Sequence, residues 1–103
     1  MKWNKPENRN LLRAVLALKS TGEAQRFMRD LMTENEISEF AKRLEAARML
    51  AANEPYSSIE NKTGLSSTTV ARVSKWLKGK QGGYRRVLSR LHHRNPARTR
   101  GLR

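Results

Sequence analysis

The chain has 103 residues, 37% of them hydrophobic, which is enough for one domain with a limited core and too few for two. It has no cysteine, which excludes a disulfide framework, and no apolar run near the roughly 20 residues that span a bilayer. The formal net charge of +13 favours a polyanionic partner, and residues 78–103 carry nine Lys or Arg and no acid.

Helical periodicity runs through almost the whole chain and predicts an all-α fold. A first helix is expected from about Lys5 to Ser20, where Thr21-Gly22 interrupts the pattern. A second helix is expected from about Glu23 to Met32. Its apolar positions follow the i, i+3, i+4, i+7 rule, and they are Ala24, Phe27, Met28 and Leu31.

The longest predicted helix opens with a capping box, in which Thr33 is followed three residues later by Glu36. It is expected to run to about Ala52, because Pro55 disfavours helix in the residue before it. Its predicted apolar stripe consists of Ile37, Phe40, Ala41, Leu44, Ala47 and Ala51.

Residues 56–77, YSSIENKTGLSSTTVARVSKWL, have the pattern of a helix-turn-helix with Gly64 at the turn. The positions spaced to pack the two helices together are Ile59, Leu65, Val70 and Val73. Ser66 is a suitable N-cap for the second helix. Two residues depart from the usual pattern: Glu60 stands where a small residue is common, and Thr63 where an apolar one is.

A last amphipathic helix is predicted after the Gly82-Gly83 break, with apolar positions at Tyr84, Val87, Leu88 and Leu91. Residues 1–93 are expected to form the helical domain, and residues 94–103 a disordered basic tail that binds phosphate. The first two helices are apolar over a wide arc, so a partner chain is expected, most simply in an intertwined, two-fold homodimer.

The helix-turn-helix predicts a double-stranded DNA interface. Ser57, Ser58 and Lys62 on the first short helix can bind phosphates. The N-terminus of the second helix, capped by Ser66, favours a nearby phosphate. Small or basic residues on its outer face can reach base edges in the major groove, and they are Ser67, Thr68, Ala71, Arg72 and Lys75.

Residues 31–77 resemble the tryptophan repressor superfamily, in its branch of tryptophan-repressor-like bacterial proteins. The landmarks are FMRDLMT at 27–33, KRLEAARML at 42–50, the helix-turn-helix at 56–77 and GGYRRVL at 82–88. With the upstream helix, the resemblance covers about four-fifths of the chain. It implies an interlocked, all-helical homodimer with two reading heads about 34 Å apart on a two-fold symmetric operator, and a role in transcriptional regulation.

The resemblance also raises the question of a ligand pocket. Arg43 and Arg72 match the two arginines that clamp the corepressor's indole in the tryptophan repressor, and Thr33 and Thr69 match two polar positions of that pocket. Val73 and Trp76 replace smaller residues, and their bulk predicts a reduced or filled cavity. We therefore expect no tryptophan-type corepressor. Trp76 can occupy the space of the ligand, or it can simply be a core residue, which is the simpler interpretation.

Other functions have less support in the sequence. His92 and His93 are adjacent and do not share a helical face, so we expect no metal site. No catalytic set of side chains is recognisable, and we expect no enzyme. The N-terminus lacks the apolar segment of a signal peptide, which predicts a cytoplasmic protein associated with the bacterial nucleoid. Two alternatives stay open: a non-specific RNA- or nucleoid-binding protein, and a protein-interaction module.

Overall fold

The computed structural model describes residues 1–94, and all the regular structure in that part of the chain is helical. This confirms the all-α prediction. The helices are α1 (Pro6–Ala17), α2 (Thr21–Leu31), α3 (Glu34–Ala51), α4 (Tyr56–Thr63), α5 (Ser67–Lys78) and α6 (Gly83–Arg94). Arg94 ends α6, and the rest of the predicted basic tail lies outside the described residues. The chain divides into two compact units, Met1–Ile37 and a second unit that begins at Ser38.

The break between α1 and α2 lies earlier than the sequence pattern predicts. Leu18 is already extended, and α2 begins at Thr21, so Gly22 lies inside the first turn of that helix. The N-cap of α2 is Ser20, whose hydroxyl accepts a hydrogen bond from the Glu23 amide at 3.1 Å. Glu23 in turn accepts from the Lys19 amide at 2.9 Å. The two bonds together stabilise the start of α2, and they resemble a capping box except that Glu23 accepts from the residue before the N-cap.

The first unit has no core of its own. None of the residues of α1 and α2 is buried. The large apolar side chains that stay exposed there are Leu11, Leu12, Val15, Leu16 and Leu31, and Leu16 is 85% exposed. Exposed apolar side chains in such number are typical of a face that another chain covers.

In the second unit, the C-terminal half of α3 packs with α4, α5 and α6. The core residues are Ala46, Ala47, Met49, Ile59, Leu65, Val70 and Val73, and Leu50, Tyr84 and Leu88 pack against them. Among the residues of the predicted apolar stripe of α3, only Ala47 is buried in the single chain, and Phe40 and Leu44 are exposed. Helix α3 thus has a second apolar face, on which Phe40 and Leu44 are exposed.

The end of helix α3 is made by backbone hydrogen bonds around Asn53 and does not involve Pro55 directly. Asn53 adopts a left-handed conformation with φ of 63°. The Asn53 amide donates to the Leu50 carbonyl at 2.9 Å, and the Glu54 amide donates to the Met49 carbonyl at 3.0 Å. This pair of bonds is a Schellman motif, which satisfies carbonyls that the helix end leaves free.

Candidate nucleic-acid interface

Helices α4 and α5 form the predicted helix-turn-helix, with Gly64 at the turn. Gly64 has φ of 76°, and its amide donates to the Glu60 carbonyl at 2.8 Å. Left-handed backbone is costly for residues with a Cβ, so a glycine is favoured at the point where the chain reverses. The four packing residues predicted for this motif are all buried, which confirms that part of the sequence interpretation.

Thr63 departs from the usual apolar residue at its position, and the structure shows why a threonine fits. The side chain is buried. Its hydroxyl donates to the Ile59 carbonyl at 2.7 Å and accepts from the Leu65 amide at 3.2 Å. The hydroxyl thereby satisfies two backbone groups at the turn, and its burial carries no unmet polar cost. Glu60, the other departure, is half-buried.

The N-terminus of α5 is capped as predicted. The Ser66 hydroxyl accepts from the Thr69 amide at 3.2 Å and lies 3.1 Å from the Thr69 hydroxyl. A serine cap of this kind stabilises a helix by about 1 kcal/mol. The first turn of α5 has no acidic residue, so the positive end of the helix dipole is not neutralised there.

Helix α5 separates its buried residues from its candidate DNA contacts. One face buries Val70, Val73, Ser74 and Leu77. The five residues predicted to read bases are all exposed, and they are Ser67, Thr68, Ala71, Arg72 and Lys75. At 3.6 residues per turn, Thr68, Arg72 and Lys75 lie opposite the buried face. The core therefore holds the helix on one side and leaves a small, basic face on the other.

The predicted phosphate contacts of α4 differ from one another in their surroundings. Ser57 is exposed and Ser58 is half-buried. Lys62 is exposed, with its Nζ 3.8 Å from a carboxylate oxygen of Glu45 on α3. The same carboxylate binds Arg48 in a two-pronged pair, with an Nε–Oε1 distance of 2.9 Å.

The charge of Glu45 is stabilised by its neighbours. The hydrogen bond from Arg48 holds the pKa of the Glu45 carboxyl below its usual value, although partial burial opposes the shift. The charges of Arg48 and Lys62 add to the lowering. Glu45 therefore stays ionised at neutral pH and links α3 to the first helix of the motif.

The C-terminus of α5 is closed by an arginine of the following helix. The Arg85 guanidinium donates to the Leu77 carbonyl and, at 2.9 Å, to the Gly79 carbonyl. Gly79 itself is extended, so this helix end has no left-handed glycine cap. The sequence interpretation counted Arg85 only as part of a basic segment. Its spacing of six residues from Gly79, across a glycine loop, is too weak a signal to predict a cap.

The four residues matched to a corepressor pocket occupy different local environments. Thr33 caps α3, with its hydroxyl accepting from the Glu36 amide at 3.1 Å. Arg43 lies 3.6 Å from Glu39 and over the ring of Phe40, with its buried Nε lacking a hydrogen-bond partner. Thr69 belongs to the cap of α5, and Arg72 is exposed. Val73, one of the two bulky replacements, is completely buried in the core.

Trp76 is not a core residue of this chain, contrary to the simpler interpretation of the sequence. Its side chain is 48% exposed. At 3.6 residues per turn, Trp76 lies on the flank of α5, beside the buried face and not within it. It lines a largely apolar groove of about 640 Å³, together with Leu44, Lys75, Gly79, Gln81, Gly83, Tyr84 and Val87. Burial raises the pKa of the Tyr84 hydroxyl, and the charge of Arg43 partly opposes that shift.

None of the helices within residues 1–94 is long and apolar enough to cross a membrane. In the same part of the chain, no three potential metal-ligating side chains lie together.

Comparison with known proteins identifies the family. The model of the Trp repressor protein family matches residues 7–92. YerC, an uncharacterized protein of Bacillus subtilis, is 42% identical over 81 residues, which are 79% of this chain and 78% of YerC. A crystal structure of a TrpR-like protein from Eubacterium eligens superposes with a TM-score of 0.81 at 38% identity, over 87% of this chain and 93% of that one.

A crystal structure of a candidate Trp repressor from Staphylococcus aureus also superposes with a TM-score of 0.81, at 32% identity. The match covers 89% of this chain and 95% of the other. The resemblance seen in the sequence is thus confirmed over nearly the whole described chain. Together with the helix-turn-helix geometry, these matches show that the chain belongs to the Trp repressor family of DNA-binding transcription regulators.

Proposed function

We propose that this protein is a sequence-specific transcriptional regulator, most simply a repressor, that reads a two-fold symmetric operator through the major groove. The observation that carries the proposal is the division of α5 into a buried face and an exposed face of small and basic residues. A helix of this kind fits the major groove, where base edges present a distinct pattern for each base pair.

In this proposal, the outer face of α5 contacts the base edges. Ser67, Thr68 and Ala71 are small enough to let the helix approach the base edges closely. Arg72 can donate two hydrogen bonds to the O6 and N7 atoms of guanine, and Lys75 can reach either a guanine or a phosphate. The core side of the helix is held by Val70 and Val73, so the register of these contacts is set by packing.

Helix α4 and the start of α5 position the protein on the duplex. Ser57, Ser58 and Lys62 can bind backbone phosphates, and the Ser66-capped helix end favours a nearby phosphate through its dipole. Lys62 lies at the edge of the Glu45 ion pair, at 3.8 Å and exposed. A phosphate can therefore compete for it at small cost, because exposed ion pairs contribute little free energy.

In this proposal, the protein binds DNA as a homodimer. The first unit buries no residue of α1 or α2. The large apolar residues that stay exposed on these helices are Leu11, Leu12, Val15, Leu16 and Leu31. The middle of α3 adds Phe40 and Leu44 to the exposed apolar residues. A second copy supplies the same exposed apolar residues, related by two-fold symmetry. Two reading heads then meet two half-sites one DNA turn apart, and the protein resides with the nucleoid.

A tryptophan-type corepressor is not part of the proposal. Val73 fills its position within the core, and Trp76 carries an indole on the flank of α5 beside Lys75. Isothermal calorimetry with L-tryptophan is expected to give no heat of binding. Tight, saturable binding would contradict this part of the proposal.

The experiment is selection of bound sequences from a random duplex pool, followed by binding of the selected duplex to variants. A motif with two-fold symmetry is expected. Replacing Arg72 by alanine should weaken operator binding by about 1–3 kcal/mol and relax the preference at one base pair of each half-site. The matched control is Arg29→Ala, which removes an exposed arginine that is paired with Glu34 at 3.5 Å.

The two alternative functions give different outcomes in the same experiment. A non-specific nucleic-acid-binding protein yields no enriched motif, and random duplex competes fully. A protein-interaction module shows no duplex affinity at physiological salt, and Arg72→Ala leaves its partner binding intact. Sedimentation equilibrium tests the dimer directly, and a monomer at micromolar concentration would contradict that part of the proposal.

A further inference from the structure

We infer that the α5–α6 loop and the outer face of α6 form a second contact surface, which binds the phosphate backbone of the duplex held by α5. We define the connector surface as Lys80, Arg86 and Arg90. This inference rests on the proposed function, because it concerns the same DNA. It adds a sequence-independent contact that neither the helix-turn-helix nor the family assignment specifies.

The charges of the connector surface have no acidic partners. No Asp or Glu follows Glu60 in the sequence. Lys80, Arg86 and Arg90 are all exposed, and no carboxylate among the described residues pairs with them. Earlier in the chain, five cationic side chains do have a carboxylate within 4 Å, and they are Lys5, Arg29, Arg43, Arg48 and Lys62. The unpaired cations are the ones most available to phosphate.

Two grooves place the connector surface next to α5. The groove that contains Lys75 and Trp76 is also lined by Gln81 and Gly83. A second groove, of about 520 Å³, is lined by Lys80, Arg85 and Arg86 and by the same Gln81 and Gly83. The shared residues make the surface continuous from Lys75, a candidate base contact, to the start of α6. In this proposal the duplex runs along α5 as far as its C-terminal end, which brings the flanking backbone to the loop.

The orientation of α6 directs its free arginines outward. Tyr84 and Leu88 pack against the core, and Arg86 and Arg90 lie on the opposite side, one turn and about 6 Å apart along the helix axis. Arg85 is not part of the surface, because its guanidinium closes the end of α5. That bond ties the first turn of α6 to the recognition helix, so the connector surface keeps a defined position relative to it.

A surface that binds only phosphates makes a salt-dependent contribution to DNA affinity, and this contribution is the same for every DNA sequence. Each cation that neutralises a phosphate releases counterions and adds about 0.9 to the slope of log affinity against log salt. The double variant Arg86→Gln/Arg90→Gln should therefore reduce the magnitude of that slope by about 2. The matched control is Lys5→Gln/Arg29→Gln, which removes the same net charge from two ion-paired, exposed positions.

The experiment measures the affinity of full-length wild type and both double variants for the selected operator and for a random duplex of equal length, over a salt series. We expect Arg86→Gln/Arg90→Gln to weaken both duplexes by the same factor, about tenfold at low salt, with the preference for operator unchanged. The control should keep the wild-type slope. Because all four residues are exposed, unchanged circular dichroism is expected for both variants.

Three results would overturn the inference. The first is an unchanged salt slope in Arg86→Gln/Arg90→Gln, the α6 variant. The second is an equal loss of slope in the control. The third is a loss of affinity confined to the operator duplex. Failure of the proposed function looks different. If wild type has no sequence preference but the α6 variant still lowers the slope, the connector surface stands and sequence-specific reading does not. If wild type binds neither duplex, both proposals fail.

Discussion

Replacing Gly64 by alanine tests whether the turn of the helix-turn-helix depends on its left-handed backbone. Gly64 has φ of 76°, and a Cβ built there meets no atom within 4 Å. The penalty is therefore conformational and involves no steric clash. Left-handed backbone costs an L-residue about 1–2 kcal/mol, and the lower entropy of the unfolded alanine variant offsets about 0.4–1 kcal/mol. A net loss of about 1 kcal/mol corresponds to a drop in melting temperature of roughly 5 °C.

The chain offers a matched control at Gly83. A Cβ there also meets no atom within 4 Å, and its φ is not in the positive range. Gly83 begins α6, so Gly83→Ala should stabilise the protein by about 0.4–1 kcal/mol. Gly64→Asn should lie between wild type and Gly64→Ala, because asparagine tolerates left-handed backbone. Thermal unfolding followed by circular dichroism at one protein concentration measures all three. A Gly64→Ala variant that melts at or above wild type would refute the reasoning.

Two further predictions concern polar groups around the motif. Thr63→Val keeps the shape of the side chain but leaves the buried Leu65 amide without its acceptor, so urea unfolding should show a loss of about 1–3 kcal/mol, whereas Thr63→Ser should stay close to wild type. A neutral Thr63→Val would show that the hydroxyl is dispensable. Glu45→Gln should destabilise the protein by less than about 1 kcal/mol at pH 7, because the Glu45–Arg48 pair is partly exposed. The folded pKa of Glu45 is lowered, so its contribution is complete above the unfolded value of about 4.3 and disappears as the pH falls through the folded value. Urea unfolding of Glu45→Gln and wild type should therefore differ at pH 7 and converge as the pH falls below the folded pKa of Glu45, and a difference that grows in acid would contradict this sign.

The helix-turn-helix was predictable because its determinants are local. A glycine at the reversal, a serine N-cap and apolar residues at helical spacing act within a few residues of one another. The same holds for the Thr33–Glu36 capping box, which forms as predicted, with the Thr33 amide donating to Glu36 at 2.9 Å. The N-cap at Ser20 is local as well, and it starts α2 two residues before the position that apolar periodicity predicts.

The stripe of α3 and the environment of Trp76 could not be predicted from periodicity. Helix α3 is apolar on two faces, and the sequence does not say which face α4, α5 and α6 cover. They cover the one with Ala46 and Met49 and leave Phe40 and Leu44 exposed. The contact of Arg85 with the end of α5 could not be predicted either, because it joins residues on the two sides of a loop and depends on how the helices pack.

The sequence by itself determined the helical class, the position of the helix-turn-helix and the concentration of positive charge after Glu60, because each depends on residue types and on spacing along one helix. Only the tertiary structure decided which apolar faces are buried within the chain, because a helix with two apolar faces can pack on either. It also separated the arginine that closes α5 from the two that point outward on α6, because hydrogen bonds across a loop depend on how the helices pack.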